Sequence, residues 1–294
     1  MSRQAFDRAI AQIEDLRAMS CDDAREPLRK ALKARNNYLV GKAAAITGEK
    51  RIEQLIPDLI AAFDRFMRDP VASDPQCWAK NGIARALKDL EHDDPEVFQR
   101  GIAHFQYEPV WGTREDTAGA LRSTCAFALS QTRLETFAIL KLLTDLLADP
   151  ETSVRVEAAR ALAHLGARDA ELPLRLKARS GGEKPEVTGA CFSALLDLKA
   201  VEYVPFVAAF FGHRGPEVRL EAAAALSLCP EPAALRALLD YWSNQSDPEH
   251  KGELLSLLAG CPVPEAADFL LEVARDDSPR TAARAIEALA RSRY

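Results

Sequence analysis

Aromatic residues make up only 7% of this 294-residue chain, and Met and Trp number three each. A sheet-rich core built on aromatic side chains is therefore not expected. Basic residues do not outnumber acidic ones: 38 Lys and Arg stand against 44 Asp and Glu, a net charge of −6. That balance disfavours a dedicated nucleic-acid binder, which relies on excess positive charge. No apolar run approaches the roughly 18 residues that a membrane span requires, and Met1–Ser20 is charged and amphipathic, unlike a secretory signal. The six cysteines include no Cys-x-x-Cys pair and the histidines form no His-Glu-x-x-His, so the spacings of zinc sites are missing. Ser180-Gly181-Gly182-Glu183-Lys184 lacks the spacing of a phosphate loop, and no Gly-x-Ser-x-Gly elbow occurs. What remains is a hydrophobic fraction of 48%, rich in Ala and Leu, beside 28% charged residues. Such a mixture can build a core and favours helix. The expectation is a cytoplasmic, all-α protein with no membrane segment, no metal and no cofactor.

The chain repeats itself. Val154-Arg155-Val156-Glu157-Ala158-Ala159-Arg160-Ala161-Leu162, followed by Leu165-Gly166, puts apolar residues on one wide helical stripe. The same frame opens at residues 39, 79, 121, 154, 187, 218, 250 and 278, at separations of 40, 42, 33, 33, 31, 32 and 28. Constant periods of this size mark stacked repeats, whose helix pairs cannot bury their apolar stripes alone. Partner helices are predicted between these frames, near Glu26–Arg35, Arg51–Met67, Pro95–Tyr107, Arg133–Ala148, Ala170–Ala178, Ala200–Phe211, Glu231–Trp242 and Pro264–Arg275. Pro57, Pro173 and Pro205 fall inside three of them and are expected to kink them. Asp-Pro pairs at residues 69, 74, 94, 149 and 247 read as helix starts. Ser2–Ala18 is an additional leading helix.

The Asp-Pro turn, the proline-bearing first helix and the Val-Arg-x-x-Ala-Ala-x-Ala-Leu second helix resemble the HEAT repeat. The short spacings resemble the subtype found in phycobilin lyase-like repeat proteins. The likeness runs over residues 25–292 and is most specific at Leu121–Leu129, Val154–Gly166 and Val218–Leu226. It implies a single right-handed α-solenoid over 1–294, of about eight helix pairs, with residues 1–24 as an N-terminal cap. It implies second helices on the concave face and no shared chemistry. Val40, Thr188 and Pro279 stand where the frame has arginine, leaving gaps in any arginine ladder. The HEAT-like deoxyhypusine hydroxylases carry repeated His-Glu iron ligands, and no His-Glu dipeptide occurs here.

Cys125 and Cys191 occupy the place of Ala158, and Cys229 and Cys261 that of Leu165, so all four read as core residues. Cys21 and Cys77 fall near helix starts. The five histidines (92, 104, 164, 213 and 250) read as surface or turn residues. Residues 1–90 carry 16 basic against 13 acidic residues, net +3; Arg25–Arg51 holds eight against two. That stretch is either a solvated face or a patch for an acidic partner. Tyr107–Asp116 is an insertion where other repeats use short turns, with the make-up of a recognition loop. Trp111 is either its anchor or a plug between repeats. Lys80, Arg122, Arg155, Arg219 and Lys251 share one frame position, and each can tie repeats together or line a basic row. A non-enzymatic scaffold for a protein partner follows, with Trp78, Lys80, Trp111, Arg114, Arg122, Arg155 and Arg219 as its candidate contacts. The alternative resembles the HEAT-like alkyl-purine DNA glycosylases, with Trp78, Trp111, Arg114 and Asp116 as residues of the right type. A phycobilin lyase role is suggested by the repeat subtype alone.

Overall fold

The structure is a computed structural model and describes residues 3–292. Its helices run α1 (Arg3–Asp15), α2 (Cys21–Leu32), α3 (Asn37–Glu49), α4 (Ile56–Arg68), α5 (Pro70–Ser73), α6 (Trp78–Asp89) and α7 (Glu96–Ile102). They continue α8 (Gly119–Leu129), α9 (Thr136–Leu146), α10 (Thr152–Leu165), α11 (Glu171–Arg179) and α12 (Pro185–Ala208). The last are α13 (Pro216–Ser227), α14 (Pro232–Ser243), α15 (Pro248–Leu258), α16 (Glu265–Asp276) and α17 (Pro279–Leu289). The protein is thus all-α apart from one small sheet. Two compact units divide it, the first ending at Ala161 and the second beginning at Leu162. In the first, α3 packs on α6 and α6 on α8, with α2, α4 and α7 as their partners. In the second, α12 packs on α13, α13 on α15 and α15 on α17.

Local chemistry starts these helices where the frame places them. Seven of the eight frame starts lie inside a helix, and Ser278 caps the eighth, its side chain accepting from Thr281 N–H. Asn36 accepts from the Leu39 N–H at 3.0 Å ahead of α3, and Asp247 from Glu249 N–H ahead of α15. Side-chain acceptors of this kind satisfy amides that the first turn leaves orphaned. Pro185, Pro216, Pro232, Pro248 and Pro279 occupy first-turn positions, where a missing N–H removes no bond.

The same rule corrects the expected kinks. Pro57 and Pro173 stand in the first turns of α4 and α11, so they open helices and bend neither. Of the three, only Pro205 lies deep in a helix. The true break in α12 is at Lys199 (φ −157°, ψ 79°), so the partner helix expected from Ala200 restarts there without an intervening loop. Pro27, which the sequence reading did not single out, also lies inside a helix, α2.

Candidate functional site

Most turns between helices hold apolar or solvated residues, but those ahead of α6, α8 and α10 bury charge. Asp74, Lys80 and Arg122 have no exposed surface, and Gln106 and Asp149 have almost none. Asp74 caps α6 at a distance: its two carboxylate oxygens accept from the Ala79 and Lys80 N–H groups, each at 2.9 Å. Gln76 and Cys77 reach this geometry in the left-handed region (φ 59° and 55°). Asn37 on α3 donates to the same carboxylate, and Lys80 Nζ lies 3.3 Å from it. The Lys80 ammonium also donates to Gln106 Oε1 at 2.8 Å. Because an ammonium only donates, that bond fixes the Gln106 amide with oxygen toward Lys80. The Cys77 thiol and His104 Nε2 converge on the same oxygen at 3.2 and 3.1 Å, so His104 carries its proton on Nε2. Burial keeps the His104 ring below its ordinary pKa, and Lys80 and Arg122 add to the effect.

Arg122 completes the cluster. Its guanidinium binds Asp149 through two bonds of 2.8 and 3.0 Å and Asp116 at 2.6 Å, and it donates to the His104 carbonyl. Asp149 accepts from Glu151 N–H ahead of α10, and Asp116 from Ala118 N–H ahead of α8, so Arg122 joins two neighbouring helix starts. Burial pushes the Asp116 carboxyl up, but the Gln106 and Ala118 amides and the Arg122 guanidinium outweigh it and hold its pKa low. Buried charges survive only with such pairing.

On this base stands the one sheet among the described residues, a hairpin of β1 (Tyr107–Val110) and β2 (Thr113–Asp116) with Tyr107 opposite Asp116 and Val110 opposite Thr113. The expected recognition loop is therefore regular β structure. Its two-residue turn, Trp111-Gly112, has positive φ at both positions (42° and 89°). Primed hairpin turns require that geometry and favour Asn-Gly or Gly-Gly. A tryptophan pays for it in strain, since left-handed backbone costs an L-residue about 1–2 kcal/mol. Glu108 pins the hairpin to the cluster, accepting from Gln76 N–H, Gln106 Nε2 and Thr117 Oγ1 at 2.6 Å each. Burial raises the Glu108 pKa, and those bonds together bring it below the usual value. Trp111 itself is fully exposed, at 101% of its reference surface. It plugs nothing.

Beside the hairpin, α3, α6 and α8 frame an open groove of about 630 Å³. Gly41 and Gly82 bring α3 and α6 together; a Cβ on Gly82 would stand 3.0 Å from the Gly41 Cα. Small residues floor the groove, among them Ala45, Ala86 and Ala120. Tyr38 and Trp78 wall one end, their rings 5.5 Å apart and tilted by 58°. A second hollow continues it toward Phe127, sharing Arg85, Asp89 and Ala120. Most charges on the lining are answered: Arg17 by Glu14 and Glu49, Lys42 by Glu14, Lys88 by Asp89. Arg85 is exposed and has no hydrogen-bond or ion-pair partner among the described residues.

The sequence-predicted contacts separate accordingly. Trp78, Trp111 and Arg114 are exposed and belong to the groove and hairpin. Lys80 and Arg122 are enclosed and turn their charges on internal partners, so they present no surface to a second molecule. Arg155 donates to the Asp149 and Pro150 carbonyls at 2.7 and 2.8 Å. In the second unit, Arg219 donates to the His213 carbonyl at 2.8 Å and Lys251 lies 4.1 Å above Trp242. Arg25, Arg29, Lys42 and Arg51 of the basic stretch pair with Asp22, Asp58, Glu14 and Glu91. His104 stands in the turn between α7 and β1, one of the two places expected for it, and is buried there because its ring feeds Gln106. Sequence reasoning singled out neither Gln106 nor Glu108 as a functional residue. Asp-Pro signalled Asp74 and Asp149 as caps, but nothing in the sequence signalled their burial.

Among the described residues no cluster of His, Cys, Asp and Glu is placed to hold a metal ion, and no helix is long and apolar enough to cross a membrane. No protein-family model matches the chain, and no curated protein matches it. Among solved structures it is similar to the complex of CpcE and CpcF of phycocyanin lyase from a Nostoc species, at 19% identity and a TM-score of 0.41, over 75% of this chain and 91% of that one. It is similar to human deoxyhypusine hydroxylase at 19% identity and a TM-score of 0.32, over 88% and 90%. An engineered protein matches at 16% identity and a TM-score of 0.40, over 95% and 80%. Likenesses this distant say nothing of activity. The helix pairs themselves are HEAT-like in frame and packing.

Proposed function

We propose that this chain is a non-enzymatic scaffold that takes a protein partner on its first unit, with the hairpin as anchor and the groove beside it as seat. The observation that carries this reading is Trp111, fully exposed at the tip of a strained turn on a base of buried hydrogen bonds. The hairpin backbone that carries it is fixed by the hydrogen bonds at its base before any partner binds, which lowers the entropy lost on association. Tryptophan and arginine are also the residues most often dominant at interfaces, and Arg114 stands on β2 close to the turn. Trp78 and Tyr38 extend the apolar surface into the groove.

The test is capture from source-cell lysate with the tagged full chain, after nuclease treatment and at two salt concentrations. A partner recovered in near-stoichiometric amount, and lost with Trp111→Ala, is expected; Arg114→Glu should weaken its capture. Full retention by both variants would remove the hairpin from the interface. Recovery of nucleic acid alone, released as salt rises, would favour the glycosylase-like alternative, because phosphate contacts weaken steeply with salt.

A further inference from the structure

The groove's charges select among occupants. It carries both signs side by side, Arg85 and Asp89 on successive turns of α6 and Arg17 against Glu49 at its edge. A uniformly acidic segment would meet Asp89 and Glu49, and a uniformly basic one would meet Arg85 and Arg17. Arg85 alone among the lining's cations has no side-chain partner among the described residues, so the best fit is a segment that presents an apolar anchor beside a free carboxylate. This chain owns one: Trp111 is exposed, and the Glu115 side chain, four residues on, is exposed with no hydrogen-bond or ion-pair partner among the described residues. The hairpin does not fill the groove of its own copy, where Trp111 stays fully in solvent.

We infer that the chain self-associates through its first unit, the Trp111 tip of one copy seated in the groove of a second. The indole lies over the small residues Ala45, Gly82 and Ala120, against the Tyr38 and Trp78 pair at one end, in a space of about 630 Å³ that an indole and its flanking turn do not overfill. Glu115 then meets the unpaired Arg85, while Arg114, its neighbour on β2, points to the other face of the hairpin and stays in solvent. Because each copy has both tip and groove, two such seats close a symmetric pair and leave neither site open. This goes beyond the scaffold reading, and rests on it only in taking the hairpin tip as a contact surface. Where both hold, self-pairing and partner binding compete for one site.

Sedimentation equilibrium of the full chain over a wide concentration range tests it. A monomer–dimer equilibrium is expected, with Trp111→Ala weakening it about 30-fold or more, as befits a buried tryptophan anchor. Trp111 touches no core, so an unchanged far-UV spectrum and Tm will show that the variant is folded. Arg85→Glu and Glu115→Arg should each weaken the dimer several-fold, and together restore it. A chain that stays monomeric throughout, a dimer indifferent to Trp111→Ala, or charge variants that fail to rescue each other would overturn the seating. A monomeric chain whose lysate partner still depends on Trp111 would sink self-association while keeping the scaffold.

Discussion

The two units treat one position of the repeat in opposite ways. In the first, Arg122 is sealed between Asp116 and Asp149 and holds two helix starts together. In the second, Arg219 reaches out to the carbonyls of His213 and Arg214 at 2.8 and 3.3 Å, and no carboxylate among the described residues answers it. Arg155, on α10 just after the turn that supplies Asp149, likewise donates to backbone carbonyls, those of Asp149 and Pro150. The frame fixes where the arginine stands. The turn fixes what it does, because a guanidinium is drawn inward only where carboxylates are buried with it.

The largest effect should come from breaking the sealed version. Arg122→Met leaves Asp116 and Asp149 buried without a countercharge, and should lower stability by about 3–5 kcal/mol. Arg219→Met removes carbonyl bonds that water can replace, at a cost of about 0.5–1.5 kcal/mol. Denaturation midpoints of the two variants would compare them directly; equal losses would show that the burial of Arg122 confers nothing extra. A packing version of the contrast comes next. A Cβ on Gly101 would overlap the sulfur of buried Cys125, so Gly101→Ala should cost about 1–3 kcal/mol. On Gly189 it would meet the carboxylate end of Glu221, which can swing away. Gly189→Ala should then stay within about 1 kcal/mol of the parent, helped by alanine's helix propensity.

Acid sharpens the comparison at the smallest scale. His104 is held neutral, so it stabilises the first unit above its ordinary value of 6.5, and that contribution is lost as pH falls from there toward its lowered folded value. Asp116 and Glu108, with pKa values below 3.8 and 4.5, stabilise above those values and cease to as pH falls through their folded ones. In the second unit, Glu221 behaves in reverse. Burial, with the nearby Glu186, raises its pKa, so it stabilises at low pH and loses that as pH rises through the raised value. Hydrogen exchange, corrected for intrinsic rates, should show α8 loosening below pH 6.5. At neutral pH, Glu221→Gln should hold or gain stability, by less than about 1 kcal/mol.

Much of the helical frame was legible in the sequence because apolar period and cap chemistry are local. Val154 to Leu165 and Val218 to Leu226 need no distant partner to be recognised, and Asp247-Pro248 announces its helix alone. Proline was misjudged by position: at Pro57 the first turn was placed too early, which turned an opening residue into an expected kink. The hairpin was hidden because Trp111-Gly112 is not one of the usual turn pairs. The buried cluster was hidden for a different reason. Lys80, Gln106 and Asp74 read as surface residues one at a time, and only their convergence from 26 and 32 positions apart makes their burial tolerable.

The cysteines carry a practical consequence. Cys77, Cys125, Cys191, Cys229 and Cys261 are buried, and Cys21 is exposed. Burial pushes the Cys77 and Cys191 thiols up to about 12 and raises the other three. Thiolates, which do the reacting, are therefore scarce inside the folded chain. A maleimide dye offered to the native protein should label Cys21 alone, on the first turn of α2. Each further thiol that becomes labelled would then report, by peptide, which unit has opened.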